Sequence, residues 1–385
     1  MPINNAYITR TAVCLPNEPV ENDDIESILG EVNGKPSRAK RIILKSNGIK
    51  QRYYVLDSKT GEPVYNNAQL TATSIRNLFT DLTDMDKIDC LVCGTTTPDQ
   101  IAPNHAVMVH GELQTPPCEV IATSGICLSG ITALKYAYLA IKSGEHHAAV
   151  STGSETVSLN LRATNYTEEV QHKVEKLQKQ PEIAFEKDFL RWMLSDGAGA
   201  FLVEPEPTRY TDQPPLKIEW LDIISYANEL ETCMYMGAEK QDDGQLKGWS
   251  QFDSKNLINH SVLTLKQDVK LLNENIVPVT FTRSLQKIIS KRGVTADQID
   301  YFLPHISSMF FYDKVKDAMS EMGFEIAEDK WFTNLSTKGN TGSASIYIML
   351  DELLKSEKVK PGDTILCFIP ESGRFSSSFM LLTAV

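Results

Sequence analysis

The sequence predicts an α/β protein made of two related halves, and two observations lead there. Strand-like apolar runs alternate with helix-periodic runs along all 385 residues, the pattern of helices laid against a sheet. One segment also recurs in type: Met85-Asp86-Lys87-Ile88-Asp89-Cys90-Leu91-Val92-Cys93 is answered by Ala296-Asp297-Gln298-Ile299-Asp300-Tyr301-Phe302-Leu303-Pro304. Each copy follows a helix pattern, over 70–82 and over 282–292, and each opens into a polar loop. A repeat at so long a separation belongs to a duplicated half, not to a short-period array. The halves are expected at 1–205 and 206–385, joined through Glu204-Pro205-Glu206-Pro207.

The elements follow from local pattern. The apolar run 88–93 and the β-rich Cys118-Glu119-Val120-Ile121 read as strands. Over 129–142, Ile131, Leu134, Tyr138 and Ile141 recur near the helical period, and Gly144 is a C-terminal stop. A polar stretch over about 165–190 reads as an inserted helical excursion or lid. The first half closes on Asp196-Gly197-Ala198-Gly199-Ala200, a tight turn into a strand. Gly and charge over 242–249 predict a surface loop, and 346–354 a helix.

Composition narrows the function. A hydrophobic fraction of 42% and a charged fraction of 23% are those of a soluble globular chain. No apolar run reaches the roughly 20 residues a bilayer span needs, and Met1-Pro2-Ile3-Asn4-Asn5-Ala6-Tyr7 lacks signal-peptide character, so a cytoplasmic protein is expected. A net charge of −12 argues against nucleic-acid binding. Lys35, Arg38, Lys40, Arg41 and Lys45 nevertheless cluster, as a docking site for an acidic partner or as a solvated helix face. Seven scattered cysteines do not form a disulfide framework. Cys90-Leu91-Val92-Cys93 lies inside an apolar run, where structural cysteines are expected. His105 and His110, and the adjacent His146-His147, lack helical metal-site spacing, so no metal is expected.

Cys127 is the candidate nucleophile. A β-rich run leads through Ala122-Thr123-Ser124-Gly125-Ile126 to Cys127, and the helix pattern starts directly after it. Unpaired N–H groups and the dipole at a helix N-terminus favour thiolate and can hold an oxyanion. A buried structural cysteine is the competing reading. Three further segments carry residues that thiol chemistry uses. They are Pro304-His305 at a strand end, Gly339-Asn340-Thr341 in a glycine turn before a helix, and the turn Glu371-Ser372-Gly373-Arg374-Phe375. Each alone has a structural explanation: a satisfied histidine, a helix cap or a turn glycine.

Taken in order, these segments resemble the β-ketoacyl-acyl carrier protein synthase III family of the thiolase superfamily. Leu15-Pro16, Asn47-Gly48-Ile49-Lys50-Gln51-Arg52, Thr95-Thr96-Thr97-Pro98-Asp99, Ile141-Lys142-Ser143-Gly144 and Asp196 to Ala200 fall in the same register. The resemblance implies the thiolase fold, two pseudo-duplicated α/β halves stacked as a five-layered α-β-α-β-α core. It implies a Cys127, His305 and Asn340 triad, with backbone N–H groups of Cys127 and Gly373 as the oxyanion hole. The cysteine would take an acyl group from a thioester. The histidine and asparagine would then bind the carbonyl of a malonyl or β-ketoacyl nucleophile for Claisen condensation. The resemblance further implies a homodimer, an acyl carrier protein partner, and no cofactor beyond phosphopantetheine or coenzyme A thioesters as substrates.

The chain departs from that pattern in four places. The family's Gly-Gly-Gly turn reads Ser372-Gly373-Arg374, and its adenine-clamping tryptophan and arginine fall at Ile42 and Ser46. A phenylalanine that enters the partner's acyl pocket falls at Ala102, and the Cys127-to-His305 span is lengthened. Ala102 and Phe375 are therefore expected at an acyl pocket with room for a medium or long chain. The pattern resembles secondary-metabolic ketosynthases of dialkylresorcinol and aryl-polyene pathways, which join two acyl chains and in the resorcinol case cyclise the product. An ester- or amide-forming acyltransferase, a non-catalytic ketosynthase partner and a cysteine hydrolase are the alternatives.

Overall fold

The computed structural model describes residues 4–37, 39–166 and 189–385. Arg38 and nearly all of the stretch expected as an insertion over 165–190 lie outside the described residues. Nine strands form one sheet. In chain order they are β1 (Tyr7–Cys14), β2 (Cys90–Thr95), β3 (Glu119–Ser124), β4 (Ala149–Glu155), β5 (Gly197–Glu204), β6 (Leu216–Ser225), β7 (Tyr301–Pro304), β8 (Thr364–Glu371) and β9 (Ser376–Ala384). Their order across the sheet is β7-β8-β9-β6-β1-β5-β4-β2-β3.

The duplication is visible in the pairing. In the first half β2 and β4 are parallel, β4 and β5 antiparallel, and β5 and β1 antiparallel. In the second half β7 and β8 are parallel, β8 and β9 antiparallel, and β9 and β6 antiparallel. The recurring motif explains this: β2 and β7 are its two copies and hold equivalent places. A short antiparallel joint, Tyr7 with Lys217 and Ile8 with Leu216, links the halves. Strand β3 adds an edge to the first half.

Seven helices matter for the site: α1 (Lys40–Asn47), α2 (Asn67–Arg76), α3 (His105–Leu113), α4 (Leu128–Ser143), α5 (Ser284–Arg292), α6 (Tyr312–Glu321) and α7 (Ser345–Lys355). Helices α4 and α7 contact strands of both halves and make a buried middle layer. Ile131, Leu134 and Ile141 of α4 pack there with Tyr347, Leu350 and Leu353 of α7. Helices α2 and α3 cover the outer side of the first half, and α5 and α6 that of the second. The layers alternate as α-β-α-β-α, as expected of the thiolase fold.

Three boundaries differ from the sequence expectation. The helix expected over 70–82 starts earlier, because Asn66 and Gln69 form a capping box, and ends at Arg76. Residues Leu82–Lys87 form a separate 3₁₀ turn capped by the Asp81 side chain. Before α5 the chain runs through a π-helical segment, Ile276–Arg283, where Pro278 lacks the N–H a regular helix uses. The loop expected over 242–249 contains a small hairpin, with Ala238 opposite Gly248. Gly144 and Gly293, both left-handed, end α4 and α5. Among the described residues no helix is long and apolar enough to cross a membrane.

Candidate active site

Parallel strands β2 and β4 end beside the start of α4, and the site is built at those ends. Cys127 is the N-cap residue of α4, directly before its first turn, and is buried. It lines a largely apolar cavity of ≈ 40 Å³ with Thr96, Thr97, Glu155, Met193, Met234, Ser307 and Asn340 among its neighbours. Asn340 reaches this cavity because its turn is clamped. Its N–H donates to the Met193 carbonyl, its own carbonyl accepts from Ser195 N–H, and its Oδ1 accepts from Gly342 N–H at 3.0 Å. That leaves its Nδ2 group as the remaining donor. The helix α7 begins at Ser345, so Asn340 is not its cap.

The same turn is pressed onto the nucleophile helix through Ser343. A Cβ at Gly130 would lie 2.3 Å from the Ser343 carbonyl oxygen, and one at Gly153 would lie 2.2 Å from it. Two glycines, one on α4 and one on β4, thus permit the close approach that brings Asn340 to Cys127.

His305 follows β7, held by its N–H to the Phe368 carbonyl at 2.8 Å. The residue is 3% exposed, and its Nε2 has no partner among the described residues. Burial lowers its pKa to about 4, so it is neutral at neutral pH. A neutral imidazole with an open Nε2 is suited to hydrogen-bonding a carbonyl. His305 does not itself line the cavity, which Ser307 reaches two residues later.

Two buried glutamates were not anticipated. Glu155 ends β4 and Glu371 ends β8, the equivalent strands of the two halves. Glu155 accepts from Thr96 Oγ1 at 2.7 Å, Thr97 Oγ1 at 2.8 Å and Thr96 N–H at 3.1 Å. This gives the threonine run its role. Asp99 pins the loop that follows by accepting from the N–H groups of Asn67 and Ala68 at the start of α2. Glu371 accepts from Gly373 N–H and, at 3.2 Å, from Ser376 N–H. Burial raises the pKa of both carboxyls. The available signal was an acidic residue closing an otherwise apolar strand.

These carboxyls change two expectations. Cys127 was expected to favour thiolate, but burial, then Glu371 and Glu155, push its thiol up. Gly373 N–H, expected as an oxyanion donor, is occupied by its neighbour's carboxylate. The turn borders a second, wider cavity of ≈ 740 Å³, lined by Ile101, Ile126, Ile223, Met236, Glu371 and Gly373 among others.

The residues expected for the acyl pocket and for docking lie outside the lining of both cavities. Ala102 is exposed before α3 and lines neither cavity. Phe375 is wholly buried in the second-half core. The cavity beside the sulfur is small, ≈ 40 Å³. Lys35, Arg41 and Lys45 are exposed, whereas Lys40 pairs with Glu26 at 3.2 Å and lies over the Trp192 ring. Ile42, at the clamp position, is 67% exposed. Cys90 and Cys93 are free and buried in different core clusters.

Residues 289–372 match the family model for the 3-oxoacyl-(acyl-carrier-protein) synthase III C terminal. The chain is 23% identical to a β-ketoacyl-(acyl-carrier-protein) synthase III of Hyphomonas neptunium over 361 residues, covering 94% of each chain. In fold it is similar to a tetronic acid condensing enzyme, with TM-score 0.75, 17% identity, and coverage of 98% of this chain and 100% of that one. It is also similar to 3-oxoacyl-(acyl carrier protein) synthase III from Pseudomonas aeruginosa, with TM-score 0.71, 16% identity, and coverage of 99% and 98%. The chain is a thiolase-fold protein. In sequence and in structure it is similar to proteins named 3-oxoacyl-(acyl-carrier-protein) synthase III.

Proposed function

We propose that the chain is a ketosynthase that condenses an acyl group held on Cys127 with a malonyl- or β-ketoacyl-thioester. The observation that carries this is a buried cysteine at a helix N-terminus sharing one apolar cavity with Asn340. Cys127 gives up its proton as its sulfur attacks the thioester carbonyl, and the donor sulfur leaves and takes up a proton, departing as free thiol. The second thioester then docks its carbonyl against Nε2 of His305 and Nδ2 of Asn340. These donors stabilise the enolate that forms when carbon dioxide or a proton departs. The enolate carbon attacks the acyl-cysteine, and Cys127 leaves as thiolate. Gly373 N–H serves as the second oxyanion donor only after the Glu371 carboxylate gives it up.

Exposed Ile42 and Ser46 at the adenine-clamp positions support a carrier-protein donor over free coenzyme A. Exposed Arg41 and Lys45 on α1 are the basic groups that such an acidic carrier would meet. The assembly inferred is a homodimer, with β3 as the exposed sheet edge available to a second copy. We assign the subtype to the secondary-metabolic ketosynthases that join two acyl chains, on the loss of the clamp and of the triple-glycine turn. Incubation with acetyl to long-chain acyl thioesters, followed by intact-protein and peptide mass spectrometry, tests the reading. One acyl group on Cys127 is expected, and the preferred length reads the subtype. Failure of every thioester to load, or loading that survives Cys127→Ala, overturns the assignment.

A further inference from the structure

At the opposite end of the same strands the fold gathers three residues distant in sequence. Cys90 opens β2 and Glu119 opens β3, and they are register partners in that parallel pair. His146 lies in the loop before β4, whose first residue, Ala149, flanks Cys90 on the other side. The Cys90 sulfur, a Glu119 carboxylate oxygen and a His146 ring nitrogen all lie within 4.8 Å of one another. Thiolate, imidazole and carboxylate are the donors that zinc takes in tetrahedral sites.

The surroundings are organised as metal sites are. His146 Nδ1 stands 3.5 Å from Asp89 Oδ1, and Asp89 is fixed by the N–H groups of His147 and Ala148. Tyr136 donates its hydroxyl to the other Glu119 oxygen at 2.6 Å. Partners of this kind orient ligating rings and carboxylates. A plain His146–Glu119 ion pair, 2.5 Å apart, accounts for two of the three groups but not for Cys90. Its thiol is wholly buried, within 4.8 Å of the Glu119 carboxylate and the His146 ring.

We propose that Cys90, Glu119 and His146 form a zinc-class divalent cation site that ties together the starts of β2, β3 and β4. On binding, the Cys90 S–H bond breaks and its proton goes to solvent. The cation bonds to that sulfur, to His146 Nε2 and to a Glu119 oxygen, and water completes the tetrahedron; no electron is transferred. Entry is from the surface, where the side chains of His146 and Glu119 are 13% and 37% exposed. The site lies one β2 length from the catalytic end of that strand, about 16 Å at about 3.3 Å per residue. It is therefore independent of the condensing reading.

The test uses the full chain in a Cys127→Ala background, stripped with chelator and titrated with zinc against a chromophoric competitor, and separately with cobalt. One cation per chain is expected, with a thiolate-to-cobalt charge-transfer band and the visible bands of a tetrahedral site. Cys90→Ser and His146→Gln should abolish the band and weaken zinc binding at least tenfold, and Tyr136→Phe should weaken it by roughly 10–100-fold. Cys93→Ser, in the other core cluster, should bind as the parent does. If Cys90→Ser fails to fold by circular dichroism, His146→Gln and Glu119→Gln carry the test without touching the core. Absence of stoichiometric binding, or unchanged binding in His146→Gln, overturns the proposal. Acyl loading of His146→Gln with Cys127 intact should match the parent, which separates this failure from failure of the ketosynthase reading.

Discussion

At the residue scale, the proposed chemistry divides the work among three buried side chains, Cys127, His305 and Asn340. Cys127→Ala should abolish acyl loading. His305→Ala and Asn340→Ala should still load but condense roughly 10²–10³-fold more slowly, the usual cost of one preorganised oxyanion donor. Single-turnover loading and product formation, measured separately, distinguish the two steps; condensation at the parent rate in both variants would remove His305 and Asn340 from the mechanism. Glu371 gives a second prediction, with the sign set by electrostatics. Its charge, after burial, holds the Cys127 thiol above its ordinary range. Alkylation of Cys127 should keep rising with pH beyond the point, about 8.5, where an ordinary thiol is half ionised. Glu371→Gln removes a negative neighbour, lowers that pKa and should speed alkylation at a fixed mildly alkaline pH. Peptide mapping of iodoacetamide labelling reads this, and a slower variant would mean that Glu371 does not oppose the thiolate.

At the scale of elements, the site depends on how closely the turn before α7 approaches α4 and β4. The contact runs through Ser343, whose carbonyl leaves no room for a Cβ at Gly130 or Gly153. Gly153→Ala should therefore cost about 1–3 kcal/mol, the range for overpacking a tight interior, and should displace Asn340. Denaturant unfolding measures the first effect, and a loss of condensation larger than any loss of loading measures the second. A variant as stable and active as the parent would show that the turn can shift freely. The Asp196 motif works in the same way. Its carboxylate accepts from Val55 N–H at 2.7 Å and Ser158 N–H at 2.9 Å, while its own N–H donates to the Tyr53 carbonyl. One aspartate thereby joins three segments of the first half behind the site.

For the whole molecule, the proposed assembly and carrier docking would use the exposed edge strand β3 and the exposed basic residues of α1. Sedimentation at micromolar concentration should give a dimer; a monomer would contradict the inferred assembly. Reversing Arg41 and Lys45 to Glu should weaken loading from an acyl carrier protein more than loading from a small acyl thioester, and increasingly so as salt is lowered, since surface charge attraction is screened by salt. Equal effects on both donors would place carrier docking elsewhere.

Much of this was legible in the chain itself, because it is written locally. Helix α4, its glycine stop and the cysteine before it follow from periodicity, and the recurring motif before β2 and β7 foretold the paired halves. The segments carrying Cys127 and Asn340, both marked in the sequence, meet at one cavity, whereas His305 stays outside its lining. Helix boundaries were less legible, since a capping box at Asn66 and a proline in a π-turn decide them through hydrogen bonds. What only the tertiary structure decided is the environment of those residues. Glu155 and Glu371 matter because equivalent strands of the two halves end beside the same sulfur, and Gly373 N–H is taken because its turn folds back on Glu371. Cys90, Glu119 and His146 meet only through strand register. Periodicity is a property of neighbours in sequence, whereas desolvation, charge and ligand geometry belong to neighbours in space.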